Sequence, residues 1–176
     1  MIPAAPARPH PVPAPNAWRQ AWRDAVRDPR ELLALLGLGT LAAGISDAAA
    51  AQFPLRVPRG FVARMRRGDP RDPLLRQVLP VLEEDRMMPG FTLDAVGDMQ
   101  ARRGGGVIHK YAGRALLVAT GSCVVHCRYC FRRHYPYAED TAAAAGWRDA
   151  VAVIAGDDAI HEVILSGGDP LSLADH

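Results

Sequence analysis

The sequence predicts an α/β fold behind a helical N-terminal region, on three observations. Two short apolar runs, Ala115–Ala119 and Val163–Leu165, have the length and bounding residues of buried strands. A helical stretch, Trp147–Ala155, lies between them, and strand, helix and strand in that order form a βαβ unit with parallel strands. Upstream of residue 107, helix-start signals recur in front of leucine-rich stretches.

In chain order, Met1–Pro15 carries Pro3, Pro6, Pro9, Pro11, Pro13 and Pro15 and reads as a disordered, partly extended tail, taken as residues 1–17. Prolines at that density interrupt the continuous apolar stretch that a signal peptide needs. Trp18–Val26 is expected as a short helix, with Asn16 as its candidate cap. Asp28-Pro29-Arg30-Glu31 starts a second helix, with Asp at the N-cap and Pro at the first helical position. Leu32, Leu33, Leu35 and Leu36 are its apolar face, and Gly37 and Gly39 end it. Asp72-Pro73 starts a further helix through Val78. Met87-Met88-Pro89-Gly90 is a turn, and Gly104-Gly105-Gly106 is expected as a flexible approach to Val107-Ile108-His109. This helical region spans 18–106, and the strand–helix–strand unit lies within 107–176. His161–Ser166 is expected as a second buried strand, ending at Gly167-Gly168.

A chain of 176 residues can bury a real core, and 49% hydrophobic with 23% charged residues is an ordinary globular balance. A net charge of +2 makes no electrostatic case for nucleic acid. No run of 18 apolar residues occurs, so no membrane span is expected.

Chemistry concentrates at Cys123, Cys127 and Cys130, the three cysteines of the chain, spaced C-x3-C-x2-C. Three thiolates on one short segment can hold three corners of a [4Fe–4S] cube and leave the fourth iron open, whereas an electron-transfer cluster is normally closed by four cysteines. Two other readings fit the spacing. Positions i, i+4 and i+7 share a helix face, so the thiols could be a buried apolar stripe. Cys3His is also a structural zinc set, with His126 or His134 as the fourth ligand, although zinc ligands usually come as two separated pairs. An odd number of clustered cysteines argues against a disulfide framework and for a reducing, cytoplasmic setting.

The surrounding residues carry a resemblance. Cys127-Arg128-Tyr129-Cys130-Phe131-Arg132-Arg133-His134 continues into Tyr135-Pro136-Tyr137-Ala138-Glu139. Upstream lies His109-Lys110-Tyr111-Ala112-Gly113-Arg114, and downstream Ser166-Gly167-Gly168-Asp169-Pro170-Leu171. Together these resemble the lysine 2,3-aminomutase family of radical S-adenosylmethionine enzymes. They look most like the branch that makes (R)-β-lysine for attachment to translation elongation factor P. The resemblance runs from about Trp18 to His176.

It implies that residues 107–176 are the start of a radical-SAM partial barrel. It also implies that Cys123, Cys127 and Cys130 ligate a [4Fe–4S] cluster whose open iron binds S-adenosylmethionine. Ser166, Gly167, Gly168 and Asp169 would then contact the methionine amino group, the glycines permitting close backbone approach. Tyr129 would lie near the adenosyl group, and Arg132 would hold the carboxylate of the substrate, free lysine, by bidentate contacts. Lys110, Tyr111 and Arg114 would surround pyridoxal 5′-phosphate. A separate ligase and elongation factor P would be downstream partners. A glycine-driven turn, a packing aromatic or surface charges account for several of these residues equally simply, Arg128 and Arg133 read as solvated or structural charges without an assigned role, and His134 as a structural hydrogen-bonding histidine.

Lys110 is the single lysine, so the family's pyridoxal-binding lysine has no counterpart here. Two parallel strands leave an exposed edge, and the chain is therefore expected to be an incomplete domain, the N-terminal half of the enzyme. A non-catalytic cluster- or zinc-stabilised module, or a radical enzyme of other chemistry, are the alternatives.

Overall fold

The computed structural model describes residues 17–144 and 146–173. The expected proline-rich tail, the candidate cap Asn16 and the last three residues lie outside the described residues.

The N-terminal part is a layer of short helices. The first, α1 (Ala17–Arg23), ends before Val26, which instead forms an isolated antiparallel bridge with Val57. The second, α2 (Pro29–Leu35), starts where the Asp-Pro signal placed it, with the Asp28 carboxylate accepting from the Arg30 N–H. Next come α3 (Asp47–Gln52), capped by the Ser46 hydroxyl, and the single turn α4 (Arg59–Val62). In α5 (Pro73–Val78), the Asp72 carboxylate accepts from the N–H groups of both Leu74 and Leu75. Leu32, Leu33, Leu36, Val57, Leu75 and Val78 are the centre of the core that these elements bury. No single helix here is long enough to be stable in water, so the shared core holds the layer together.

A four-stranded mixed sheet follows, in the order β1 (Arg102–Gly104), β2 (Val107–Tyr111), β3 (Arg114–Thr120), β4 (Glu162–Gly167). The first three strands are antiparallel neighbours, and β4 runs parallel to β3 in the register Leu116↔Ile164 and Leu117↔Leu165. Helix α6 (Arg148–Ala155) makes the crossover, as expected, one residue later than the sequence suggested because Trp147 sits at φ 66° ahead of it. One sheet face packs on α6 through Val107, Ala115, Leu117 and Ala150. The other holds Ile108 and Val118 against Tyr135.

Two expectations need correction. The glycine triplet is no flexible approach: it closes a β1–β2 hairpin, with Gly105 at φ 59° and Gly106 at φ 80°. Gly106 N–H donates to the buried Asp140 carboxylate, which also takes the Tyr135 hydroxyl and the Arg102 guanidinium. β4 lies where expected but is not buried: Val163 and Ile164 are each 39% exposed and Leu165 57%. Among the described residues its outer edge has no partner strand.

Candidate functional site

The three cysteines lie on the loop leaving the C-terminal end of β3, as the parallel architecture requires of a binding loop. The loop is not a helix, so the one-face stripe of thiols is ruled out. It is pinned from both sides. On the helical side, His126 N–H donates to Arg56 O (3.1 Å), Arg128 N–H to Gln77 O (2.7 Å) and the Trp22 indole N–H to Cys123 O (3.4 Å). Gln77 Nε2 meets Cys127 Sγ at 2.9 Å, and Val125 packs against the helical core. Arg128 is buried and donates to both Glu84 carboxylate oxygens, to Phe53 O and to Ala49 O. Arg133 adds a contact to Glu84 at 2.6 Å. Both arginines are therefore structural rather than solvated charges, a choice that the sequence left open, and Glu84 is the partner that the sequence reading missed.

On the sheet side, the Ser166–Asp169 loop grips the start of the cysteine loop. Gly168 N–H donates to Thr120 O (2.7 Å) and Asp169 N–H to Ser122 O (2.6 Å). A Cβ on Gly167 would overlap Thr120 O, and one on Gly168 would overlap Ser122 O. The chain's own backbone thus gives the nearer reason for both glycines than ligand approach does. The Asp169 carboxylate caps the following turn at Leu171.

All three thiols are free and partly buried. Burial pushes the Cys123 thiol up to about 11, with Cys130, Asp169 and Cys127 adding to the effect. A bound cation would reverse this, since metal binding takes cysteine as thiolate. The donor set thus fits a three-thiolate centre, although among the described residues no three Cys, His, Asp or Glu side chains are gathered into a metal-holding group. Of the two histidines considered as a fourth zinc ligand, His126 contacts Pro54 O through Nδ1 and stacks on Phe53, and His134 contacts Gln52 through Nδ1.

Beside the loop, β2, β3, β4 and the 96–98 segment enclose a cavity of about 270 Å³. It is slightly smaller than the ~300 Å³ at which small-molecule pockets begin. Its lining includes Lys110, Tyr111, Arg114 and Arg132, so one concavity collects the residues expected around a phosphate and a carboxylate. None of the three cations is bare. Lys110 Nζ meets Asp98 at 2.5 Å, Arg132 Nε meets Asp98 at 2.7 Å, and Arg114 pairs with Glu162. Arg132 Nη1 also donates to Ser166 Oγ (2.9 Å), tying this cavity to the Ser-Gly-Gly-Asp loop. Asp98, 3% exposed, is the organising residue and was not picked out in the sequence. Burial alone would raise its pKa, but Lys110 and Arg132 hold it below the usual carboxylate range. Tyr129 is 73% exposed and does not line this cavity.

No protein-family model matches the chain. Curated relatives do. A protein named L-lysine 2,3-aminomutase from Escherichia coli is 46% identical over 168 residues, covering 94% of this chain and 48% of that protein. Proteins of the same name from Haemophilus influenzae and Buchnera aphidicola are 41% and 38% identical, each over 90% of this chain and 47% of its own length. The chain spans about half the length of these relatives. Identity at that level over nearly every described element, cysteine loop and cation-lined cavity included, leads to one conclusion: this chain belongs to the L-lysine 2,3-aminomutase family.

Proposed function

We propose that this chain is the cofactor-binding part of a radical S-adenosylmethionine isomerase that moves the α-amino group of lysine to C3, giving β-lysine. The observation that carries the reading is the union of three neighbouring features: the three-cysteine loop and the Ser-Gly-Gly-Asp loop laced to it, both at the C-terminal end of the parallel β3–β4 pair, and the adjoining cavity, which runs from Arg132 along the sheet to Lys110 and to Arg114 at the start of β3. The names of the relatives point to the same chemistry.

A [4Fe–4S] cluster with S-adenosylmethionine supplies one-electron chemistry when bound, and pyridoxal phosphate carries the migrating nitrogen. The chain's own residues hold and orient. Cys123, Cys127 and Cys130 would hold the cluster as thiolates. Ser166 and Asp169 lie against the same loop, where the amino group of S-adenosylmethionine would be met. Arg132 presents a guanidinium already fixed by Asp98 and Ser166, so a substrate carboxylate meets a pre-oriented donor rather than a mobile one. Lys110 and Arg114, now paired with Asp98 and Glu162, are the cations that would hold a phosphate.

By the same reading, β3–α6–β4 begins a parallel barrel, and further strands add at the open, apolar β4 edge. β-Lysine so formed would be passed to a ligase acting on elongation factor P. The reaction calls for the reducing conditions of the cytoplasm, and among the described residues no helix is long and apolar enough to cross a membrane.

The test is anaerobic reconstitution, followed by iron, sulfide and zinc analysis and reduced-state EPR with and without S-adenosylmethionine. About four irons per chain, with a spectrum that changes on adding S-adenosylmethionine, is the expected result. Stoichiometric zinc, or a cluster indifferent to S-adenosylmethionine, would leave a structural metal module instead.

A further inference from the structure

We infer that Gln77 is a positioning residue for the cysteine centre, its side-chain amide donating to Cys127 Sγ and so setting how readily a cluster held there takes up an electron. The inference rests on the cluster reading above and adds to it a residue that tunes the same site.

The helical layer fixes Gln77 independently of the thiols. Asp72 caps α5 at its start, and Leu75 and Val78, on either side of Gln77, are both buried in the helical core. The backbone oxygen of Gln77 accepts from the Arg128 N–H at 2.7 Å, while its Nε2 lies 2.9 Å from Cys127 Sγ. One residue thus grips two consecutive positions of the loop. A side chain carried on a packed helix and tied down at both ends is pre-oriented. The sense of the contact follows from the acceptor. A thiolate offers lone pairs and no proton, so the NH2 end of the amide is the end that faces it. Among the described residues Cys127 is the one thiol that takes a side-chain hydrogen bond, so the three sulfurs are unequal.

Hydrogen bonds to ligating sulfur are among the levers that set the potential of an iron–sulfur cluster. An added electron places charge on the sulfurs, so a donor at Cys127 stabilises the reduced state more than the oxidised one. The donor here is neutral, although cations stand close by. Arg128 directs its N–H groups to Glu84, Phe53 O and Ala49 O. Arg133 directs its own to Glu84 and Arg128 O, and the Arg56 guanidinium lies over the Trp22 ring. None of these three guanidiniums hydrogen-bonds a sulfur among the described residues. Charge-assisted hydrogen bonds are roughly twice as strong as neutral ones, so a guanidinium at this place would hold the electron much more firmly. The amide gives a smaller bias, suited to a centre that has to accept an electron and then pass it on. Glu84 collects the cations, and Gln77 alone turns its side chain to a sulfur.

In the experiment, the anaerobically reconstituted full chain is reduced stepwise with dithionite against redox mediators, and EPR gives the midpoint potential of the iron-loaded fraction. Gln77→Leu keeps the backbone contact to Arg128 and removes the donor. Its reduction is expected to become about three- to tenfold less favourable at a fixed potential, tenfold being about 59 mV for one electron. Gln77→Glu has the same shape but turns a carboxylate to the thiolates, and should shift further in the same direction. Gln52→Leu, the same change on a glutamine that contacts His134, should leave the potential unchanged. A second readout needs no variant. Electron–nuclear double resonance of the reduced, unmodified chain should show a proton coupling that vanishes in deuterium oxide and a nitrogen coupling from isotope-labelled glutamine, since Gln77 is the described glutamine that touches a thiol. Absence of these couplings, or an unchanged potential in loaded Gln77→Leu with iron retention alone reduced, overturns the inference: Gln77 is then an anchor only, and the cluster reading stands. No cluster signal from the reduced, unmodified chain overturns the cluster reading and the inference with it.

Discussion

Replacing Asp98 by Asn tests whether one buried carboxylate organises the cavity. The substitution keeps the side-chain shape and removes the charge between Lys110 Nζ (2.5 Å) and Arg132 Nε (2.7 Å). The Asn oxygen can serve one of these cations, but its NH2 then faces the other. Removing one partner of a buried ion pair costs about 3–5 kcal/mol. Two features reduce that figure. The retained amide oxygen restores part of a charge-assisted hydrogen bond worth about 1.5–3 kcal/mol. Lys110, with 21% of its side chain accessible, can turn toward water, whereas Arg132, at 9%, cannot. A loss of about 3 kcal/mol is therefore expected, read as a fall of roughly 1–2 M in the urea midpoint at an unchanged slope of about 2 kcal/mol/M. The companion D98N/R132M variant removes the stranded guanidinium and should lose less than the two single changes summed, by about 1 kcal/mol or more. A D98N loss below about 0.5 kcal/mol, the range of ordinary surface changes, together with strict additivity in the pair, would refute the organising role.

Three further outcomes follow from the same geometry. In Gly168→Ala the new methyl meets the Ser122 carbonyl carbon at 2.6 Å and overlaps its oxygen, so overpacking of about 1–3 kcal/mol is expected, with iron loading falling in step as the cysteine loop shifts. Glu84→Gln strands Arg128 and Arg133 beside a neutral side chain; thermal unfolding should show about 3 kcal/mol lost, and iron content after reconstitution should drop while Cys123, Cys127 and Cys130 remain. Acid is the third. Burial works against the charged forms of Asp98, Glu84 and Asp140, yet their partners hold all three below the ordinary carboxylate range. Their stabilising contribution is thus complete above about pH 4 and is lost as pH falls through the lower native values. Tm should fall modestly as pH drops below about 6.5, where burial keeps His126 and His134 neutral in the fold while the unfolded chain takes up protons, and decline further below about pH 4 as the three carboxylates protonate; a carboxylate-driven decline already complete at pH 5 would contradict the assigned direction.

The elements that were legible in the sequence are those whose cause is local. Asp28-Pro29 and Asp72-Pro73 marked helix starts because a capping carboxylate and a fixed φ act within three residues, and both caps formed as expected. The β3 strand was legible because its apolar run is buried on both faces. The same rule misled at β4, where Val163-Ile164-Leu165 has the composition of a buried strand without the neighbour that would bury it. The hairpin was missed because three consecutive glycines carry no side-chain pattern, and the hairpin is held by Asp140, thirty-four residues away from Gly106. Asp98 and Glu84 were missed for a related reason. Each is one acidic residue among nineteen, and its meaning lies in partners 12, 34, 44 and 49 residues distant.

Those distant pairings explain why a helical layer stands in front of the sheet at all. A loop that presents three thiols cannot rely on its own hydrogen bonds, because the backbone must splay to aim the sulfurs. Here the loop borrows order from both sides. The helical layer supplies Gln77, Arg56, Phe53 and Ala49 as backbone and side-chain anchors, with Glu84 neutralising the two arginines that reach it. The β4 loop supplies the glycine contact at Ser122. Loosening either side should move the thiols by the same route, through the backbone of residues 122–128. Iron retention should therefore fall in both Glu84→Gln and Gly168→Ala, and the two effects should combine less than additively, because each already releases the same loop. Full additivity in iron retention would mean that the two anchors act on separate parts of the site.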